Sequence, residues 1–146
     1  MIDPRGPRFT ATVTSVVLAA VLVTSTVWLL TVQIAVFAIA AIWGVGASPY
    51  ARLYVRVVRP RLGPPAELED ERPPRFAQAV GLGFSTIGLV GLLTGLTGLF
   101  YLLITAAFAA AFLNAAFGFC LGCEVYLLAR RAISRPPASR PEVTTP

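Results

Sequence analysis

The chain has 146 residues, 56% of them hydrophobic and only 13% charged, with a formal net charge of +5. Domains that live in water carry about a quarter charged residues, so this composition excludes a disordered chain and argues against a soluble globule. No Asp, Glu, Lys or Arg occurs from Phe9 through Ala51, nor from Phe76 through Cys123; each run is long enough for two bilayer crossings at about 20 residues apiece.

The predicted fold is all-α: a polytopic membrane protein with four transmembrane helices, arranged as two α-hairpins in a single membrane domain over 1–133. Spans are expected near 9–26, 27–46, 76–94 and 99–119, each helical because backbone polar groups find no water in lipid. Met1 to Arg8 followed by an apolar stretch resembles a signal peptide. The apolar run outlasts the about 7–15 residues of a cleaved segment, so the first span is read as uncleaved. All twelve basic residues are arginines, lying before the first run, between the runs and after the second. Basic excess marks the cytoplasmic side, and an even number of crossings per run puts every arginine there. The expectation is a multi-pass protein of the cell's inner membrane, with the lipid bilayer as a partner. Both termini and the loop over 48–75 would face the cytoplasm.

Within that loop, Ser48 and Pro49 form a helix-start pair, a capping hydroxyl followed by proline at the first helical position. Arg52, Arg56 and Arg59 then fall at i, i+4 and i+7, one face of a short interfacial helix. They can contact anionic lipid headgroups, although a solvated topology anchor is the plainer reading. From Pro60 to Pro74 five prolines and the carboxylates of Glu67, Glu69, Asp70 and Glu71 predict a stiff exposed loop. That acidic cluster lacks calcium-loop spacing. In the third span Gly81, Gly88, Gly91, Gly95 and Gly98 fall within an arc of about 100° on an ideal helix, and Gly91 and Gly95 make a GxxxG step. Tight helix packing, within the bundle or in a homo-oligomer, is the plainer reading; a ligand-lined groove is the other. Pro7, Arg8 and Phe9 open the first hairpin as Pro74, Arg75 and Phe76 open the second, a hint of internal duplication. The Pro-rich tail over 134–146 is predicted to be disordered.

The two cysteines, Cys120 and Cys123, form a CxxC unit within GFCLGCEVYLLARR. Three uses suit the spacing: a reversible dithiol, half of a metal site, or two inert apolar residues. The chain has no His and no second cysteine pair, so a four-coordinate zinc would need a symmetric partner; no metal or cofactor is expected. About 20 residues from Leu99 bring the chain to the inner interface near Cys120. On a continuous helix Cys120, Cys123 and Glu124 share one face. If instead a new helix restarts near Cys120, its free N–H groups and dipole would lower a thiol pKa, against burial and Glu124, which would raise it. Glu124 can relay a proton to a thiol or simply pair with Arg131. Asn114, and Gln33 in the second span, can hydrogen-bond across helices. Nothing in the chain forms a nucleophile–base pair, a phosphate loop or a nucleotide motif.

The string FLNAAFGFCLGCEVYLLARR over 112–131, with DPRGPRF near the start and PRLGPP and PPRFAQ in the middle, resembles the bacterial membrane family called domain of unknown function 4395. The resemblance runs from about Ile2 to Ala132 and makes Cys120 and Cys123 the family's cysteine pair, flanked by Asn114 and Glu124. Members are often encoded beside thioredoxin-like and rhodanese-type sulfurtransferase proteins, so the resemblance implies thiol or sulfur traffic with such a cytoplasmic partner. Three functions follow as expectations: thiol–disulfide or sulfur transfer through the dithiol; a non-catalytic scaffold assembling through the glycine face; and a small permease for a sulfur species. No nucleic acid is expected as a partner.

Overall fold

The computed structural model describes residues 1–134, so the predicted disordered tail lies, apart from Ser134, outside the described residues. Among these, the protein is built from helices, with no strand and a single antiparallel pairing of Ile2 with Glu69. The helices are α1 (Arg5–Thr24), α2 (Val27–Trp43), α3 (Pro49–Leu53), α4 (Arg59–Leu62), α5 (Arg72–Leu93), α6 (Thr97–Phe117) and α7 (Leu121–Ile133). A 3-10 turn (Val45–Ala47) precedes α3 and a π turn (Tyr54–Val58) joins α3 to α4.

Three helices, α1, α5 and α6, are long and apolar enough to cross a membrane, one fewer than the four expected. The second apolar stretch is shorter than predicted: α2 has 17 residues, about 25 Å at 1.5 Å per residue. The cause lies at Gly44, whose φ of +101° ends the helix. The Glu71 carboxylate occupies the place a Cβ on Gly44 would take and accepts the Val45 N–H at 3.0 Å. Val45 and Gly46, placed in the second span from sequence, therefore lie past its end. α1 stops at Ser25, a left-handed residue (φ 50°) whose N–H returns to the Val21 carbonyl.

The first hairpin packs chiefly on the second rather than on itself: α1 lies along α6, and α2 along α5, while α5 and α6 also pack on each other. Leu18, Val21, Leu30, Phe100, Ile104 and Ala107 form the core. The outside is apolar too. Trp28 and Trp43 are 75% and 70% exposed, and Val16, Val90, Leu93 and Leu102 also face outward. A continuous apolar exterior of this kind is what a bilayer covers and what water does not tolerate, so the helices are compatible with a membrane protein.

The π turn has a local cause. Pro60 has no N–H to give the Arg56 carbonyl; the Arg59 N–H reaches back to the Tyr54 carbonyl instead, widening the turn. Arg52, Arg56 and Arg59 are exposed but spread over α3, the π turn and α4, so they do not follow the single α-helical register expected of them. Tyr54 is buried, its hydroxyl donating to Asp3 Oδ2 at 3.0 Å and its ring against Phe9. Tyr54→Phe is expected to lower stability by about 1 kcal/mol, read as an earlier midpoint in detergent unfolding. Burial, then the Asp3 carboxylate, raises this phenol above its ordinary 10.0. Its contribution is therefore full below pH 10 and declines as pH rises through the higher folded value. An unchanged midpoint across that window in wild type and variant would overturn the assignment.

The two halves repeat one construction. Phe9 meets Tyr54 with ring centroids 5.7 Å apart at 43°, and Phe76 meets Tyr126 at 5.7 Å and 44°. Arg75 donates to the Ala41 and Ile42 carbonyls at 2.7 and 2.6 Å, covering the C-terminus of α2. Arg8 lies correspondingly over Gly118, just past the end of α6. Ser48 caps α3 by accepting the Tyr50 N–H, and Cys120 caps α7 by accepting the Cys123 N–H. Each cap stands six residues before its tyrosine.

Candidate functional site

The cysteine pair is positioned by the way α6 ends. Gly118 takes a left-handed conformation (φ 69°), its N–H bonding the Asn114 carbonyl, the usual glycine stop of a helix. The chain then extends through Phe119 and Cys120 and restarts as α7. Cys120 thus sits outside the helix, as its N-cap, and not on a common helical face with Cys123 and Glu124 as a continuous helix would place it. Its Sγ accepts the Cys123 N–H at 3.3 Å, and Cys120 and Cys123 are joined as a disulfide with Cα atoms 5.1 Å apart. Both cysteines are half-buried; Glu124, in the first turn of α7, is exposed.

α7 reaches this position by lying close on α5. A Cβ added at Gly122 would fall 2.6 Å from Ala77 Cβ and 2.7 Å from Ala77 Cα, so only glycine allows the approach. Four residues later Tyr126 stacks obliquely on Phe76. No residue of α7 is fully buried, and its outer side carries Glu124, Arg130 and Arg131 beside Leu127 and Leu128, the make-up of a helix lying at an apolar–polar boundary.

Beside the pair, α1, α2, α5, α6 and α7 line a half-open cavity of about 380 Å³, with Cys120 and Asn114 in its wall. Its lining is mostly alanine, phenylalanine and glycine. Thr14 also lines it, 3% exposed, with an Oγ1 that has no hydrogen-bond partner, as does Gln78, whose Oε1 is buried and unpartnered. Sequence reasoning singled out Asn114 and passed over Thr14 and Gln78. The available signal was a hydroxyl and a carboxamide within otherwise apolar runs. Gln33 is elsewhere, accepting the Tyr50 hydroxyl at 2.9 Å.

The five glycines do not make one face. Gly81 lies under the Phe37 ring of α2, Gly88 against Ile104 of α6, and Gly91 against backbone atoms of Leu96 and Phe100. Gly95 lies in the turn after α5 with φ +83°, and Gly98 in the first turn of α6 with nothing near it. The ideal-helix projection failed there because α5 stops at Leu93. Among the described residues, no group of three or more His, Cys, Asp or Glu stands close enough to hold a metal ion.

A ring of apolar helices carrying a capped CxxC pair at one end of the bundle is the class of molecule these features define. The chain belongs to the family described as Domain of unknown function (DUF4395), whose pattern matches residues 2–131. No curated protein and no solved structure matches it.

Proposed function

We propose that the protein is a thiol–disulfide exchange protein of the inner membrane, in which Cys120 and Cys123 trade electrons with a cytoplasmic thioredoxin-like or sulfurtransferase partner. One observation carries the reading: the first sulfur of the pair caps a helix. The helix N-terminus bears a partial positive charge and unpaired N–H groups, and both favour a thiolate at Cys120 over a thiol. In the reduced protein Cys120 is then the nucleophile. Its thiolate attacks a partner disulfide and forms a mixed disulfide, expelling one partner thiolate. Cys123, losing its proton, displaces the partner's second sulfur and closes the Cys120–Cys123 bond. The reverse direction retraces these steps: a partner thiolate attacks the Cys120 sulfur, Cys123 leaves as the thiolate and takes up a proton, and a second partner thiolate then displaces Cys120.

Four crossings remain the arrangement this reading uses. α2 is the shortest of the long helices, but a short apolar helix spans by thinning the bilayer locally. An even count keeps the arginines and the cysteine pair on one side. Glu124, exposed one residue beyond Cys123, is the group proposed to pass the thiol proton to solvent, and Arg52, Arg56 and Arg59 are the proposed lipid headgroup contacts.

The test is capture of a mixed disulfide in cells. Cys123→Ser leaves Cys120 free to attack and unable to resolve, so it should accumulate a covalent adduct that reductant releases. Cys120→Ser should accumulate at least tenfold less. Should neither variant hold a partner while both behave as wild type, the exchange reading is wrong.

A further inference from the structure

The cavity beside Cys120 has no place in exchange with a soluble partner, which needs only the exposed side of the pair. Its volume of about 380 Å³ lies within the about 300–1,000 Å³ of small-molecule sites. Its walls are apolar, with side chains such as Phe37, Phe84 and Ala110, yet Thr14 Oγ1 and Gln78 Oε1 are buried in the same region without partners. Buried polar atoms are nearly always satisfied, so a ligand meant for this space brings polar groups of its own. An acyl chain brings none. The occupant is therefore apolar in its body, polar at separate points, and in contact with a sulfur that changes oxidation state.

We infer that the cavity binds a membrane quinone, which takes up the electrons of the Cys120–Cys123 dithiol. This rests on the exchange reading above, which supplies the reduced pair. The Thr14 hydroxyl donates to a quinone carbonyl, and Gln78 Oε1 accepts from a quinol hydroxyl, while the Asn114 carboxamide serves either state. The apolar walls select the ring from the lipid phase. In the reaction the two S–H bonds break and the Cys120–Cys123 bond forms. Two electrons and two protons pass to the quinone, whose two carbonyls become hydroxyls. The dithiol is renewed by a partner's thiols at the outer side of the same pair. One face of the site thus meets protein and the other meets a lipid-soluble carrier.

The test uses the full chain in phospholipid vesicles, reduced with dithiothreitol, freed of reductant and kept without oxygen. A short-tailed benzoquinone is added, and quinol formation and thiol loss are followed together; oxidation by glutathione disulfide is measured on the same preparation. The expected result is one quinol for each pair of thiols lost, at a rate that saturates with quinone. Ala110→Phe, which fills the cavity, should lower the ratio of quinone rate to glutathione-disulfide rate at least tenfold. Thr14→Val, which removes the buried hydroxyl with little change of volume, should lower the same ratio several-fold and serves if the larger substitution prevents folding. No quinol, or equal ratios in wild type and Thr14→Val at every quinone concentration, would overturn the inference. If the glutathione-disulfide reaction persists in that case, only the quinone site falls; if both reactions are absent, the exchange reading falls with it.

Discussion

Gly122→Ala should separate α7 from α5 and disturb the cysteine pair without touching either sulfur. The added methyl would meet Ala77 at 2.6 Å from its Cβ and 2.7 Å from its Cα. The second of these is a backbone atom of a long helix and cannot swing aside. The strain falls on α7, the shorter element, which has no fully buried residue to hold it down. Overpacking of this size costs about 1–3 kcal/mol. Because Gly122 lies one residue before Cys123, the displacement reaches the cap directly: the Cys123 N–H moves relative to Cys120 Sγ, and the thiolate loses part of its support. Reduction of the disulfide by dithiothreitol, followed by alkylation and mass measurement, should therefore change in rate at least threefold. The Phe76–Tyr126 contact should loosen with it. An alanine variant with wild-type reduction kinetics and an unaltered detergent unfolding midpoint would show that α7 does not depend on this approach.

Gly91→Leu should be the most damaging substitution along the face of α5 that meets α6. A Cβ at Gly91 would lie 3.2 Å from the Leu96 carbonyl oxygen and 3.3 Å from the Phe100 nitrogen, both backbone atoms at the start of α6. Phe100 is itself fully buried in the core. Three further carbons beyond that Cβ have nowhere to go unless α6 lifts from α5, so a loss of about 3 kcal/mol is expected. Gly98→Ala gives the contrast. Nothing lies within 4 Å of Gly98, and alanine is favoured over glycine in a helix by about 1 kcal/mol, so this variant should be neutral or slightly more stable. Detergent unfolding of the two variants in parallel measures the difference. If Gly91→Leu instead kept wild-type stability and only changed the size of the particle, the glycines would serve assembly between copies of the chain. Their contacts support the internal role, since Gly81, Gly88 and Gly91 each already face a neighbour within the same molecule.

The sequence was most legible where one physical constraint acted alone. Two long uncharged runs predict apolar helices, and α1, α5 and α6 meet the length and composition needed to cross a membrane. The second predicted span is cut short by a long-range tie: Gly44 ends α2 where the Glu71 carboxylate, on the far side of the acidic loop, accepts the Val45 N–H. No window around residue 44 contains that partner. The glycine stripe was over-read by extending an ideal helix through the Gly95 turn. At the cysteine pair both structural alternatives were visible in the residues, and the choice between them turned on Gly118, a stop signal one residue from the end of the predicted span. The cavity was beyond reach, because Thr14, Gln78 and Asn114 come from three helices and Cys120 from the junction of α6 and α7, and no local pattern brings them together.

The matched rims of the bundle leave the molecule with its own internal standard. Ser48 and Cys120 hold the same kind of cap, six positions before tyrosines set against phenylalanine at the same separation and tilt, yet only one of them bears sulfur. The serine side reports what architecture alone requires, and anything the sulfur side does beyond it belongs to chemistry. A perturbation felt equally at Tyr54 and Tyr126 speaks of the scaffold as a whole. One felt at Tyr126 alone belongs to the cysteine side.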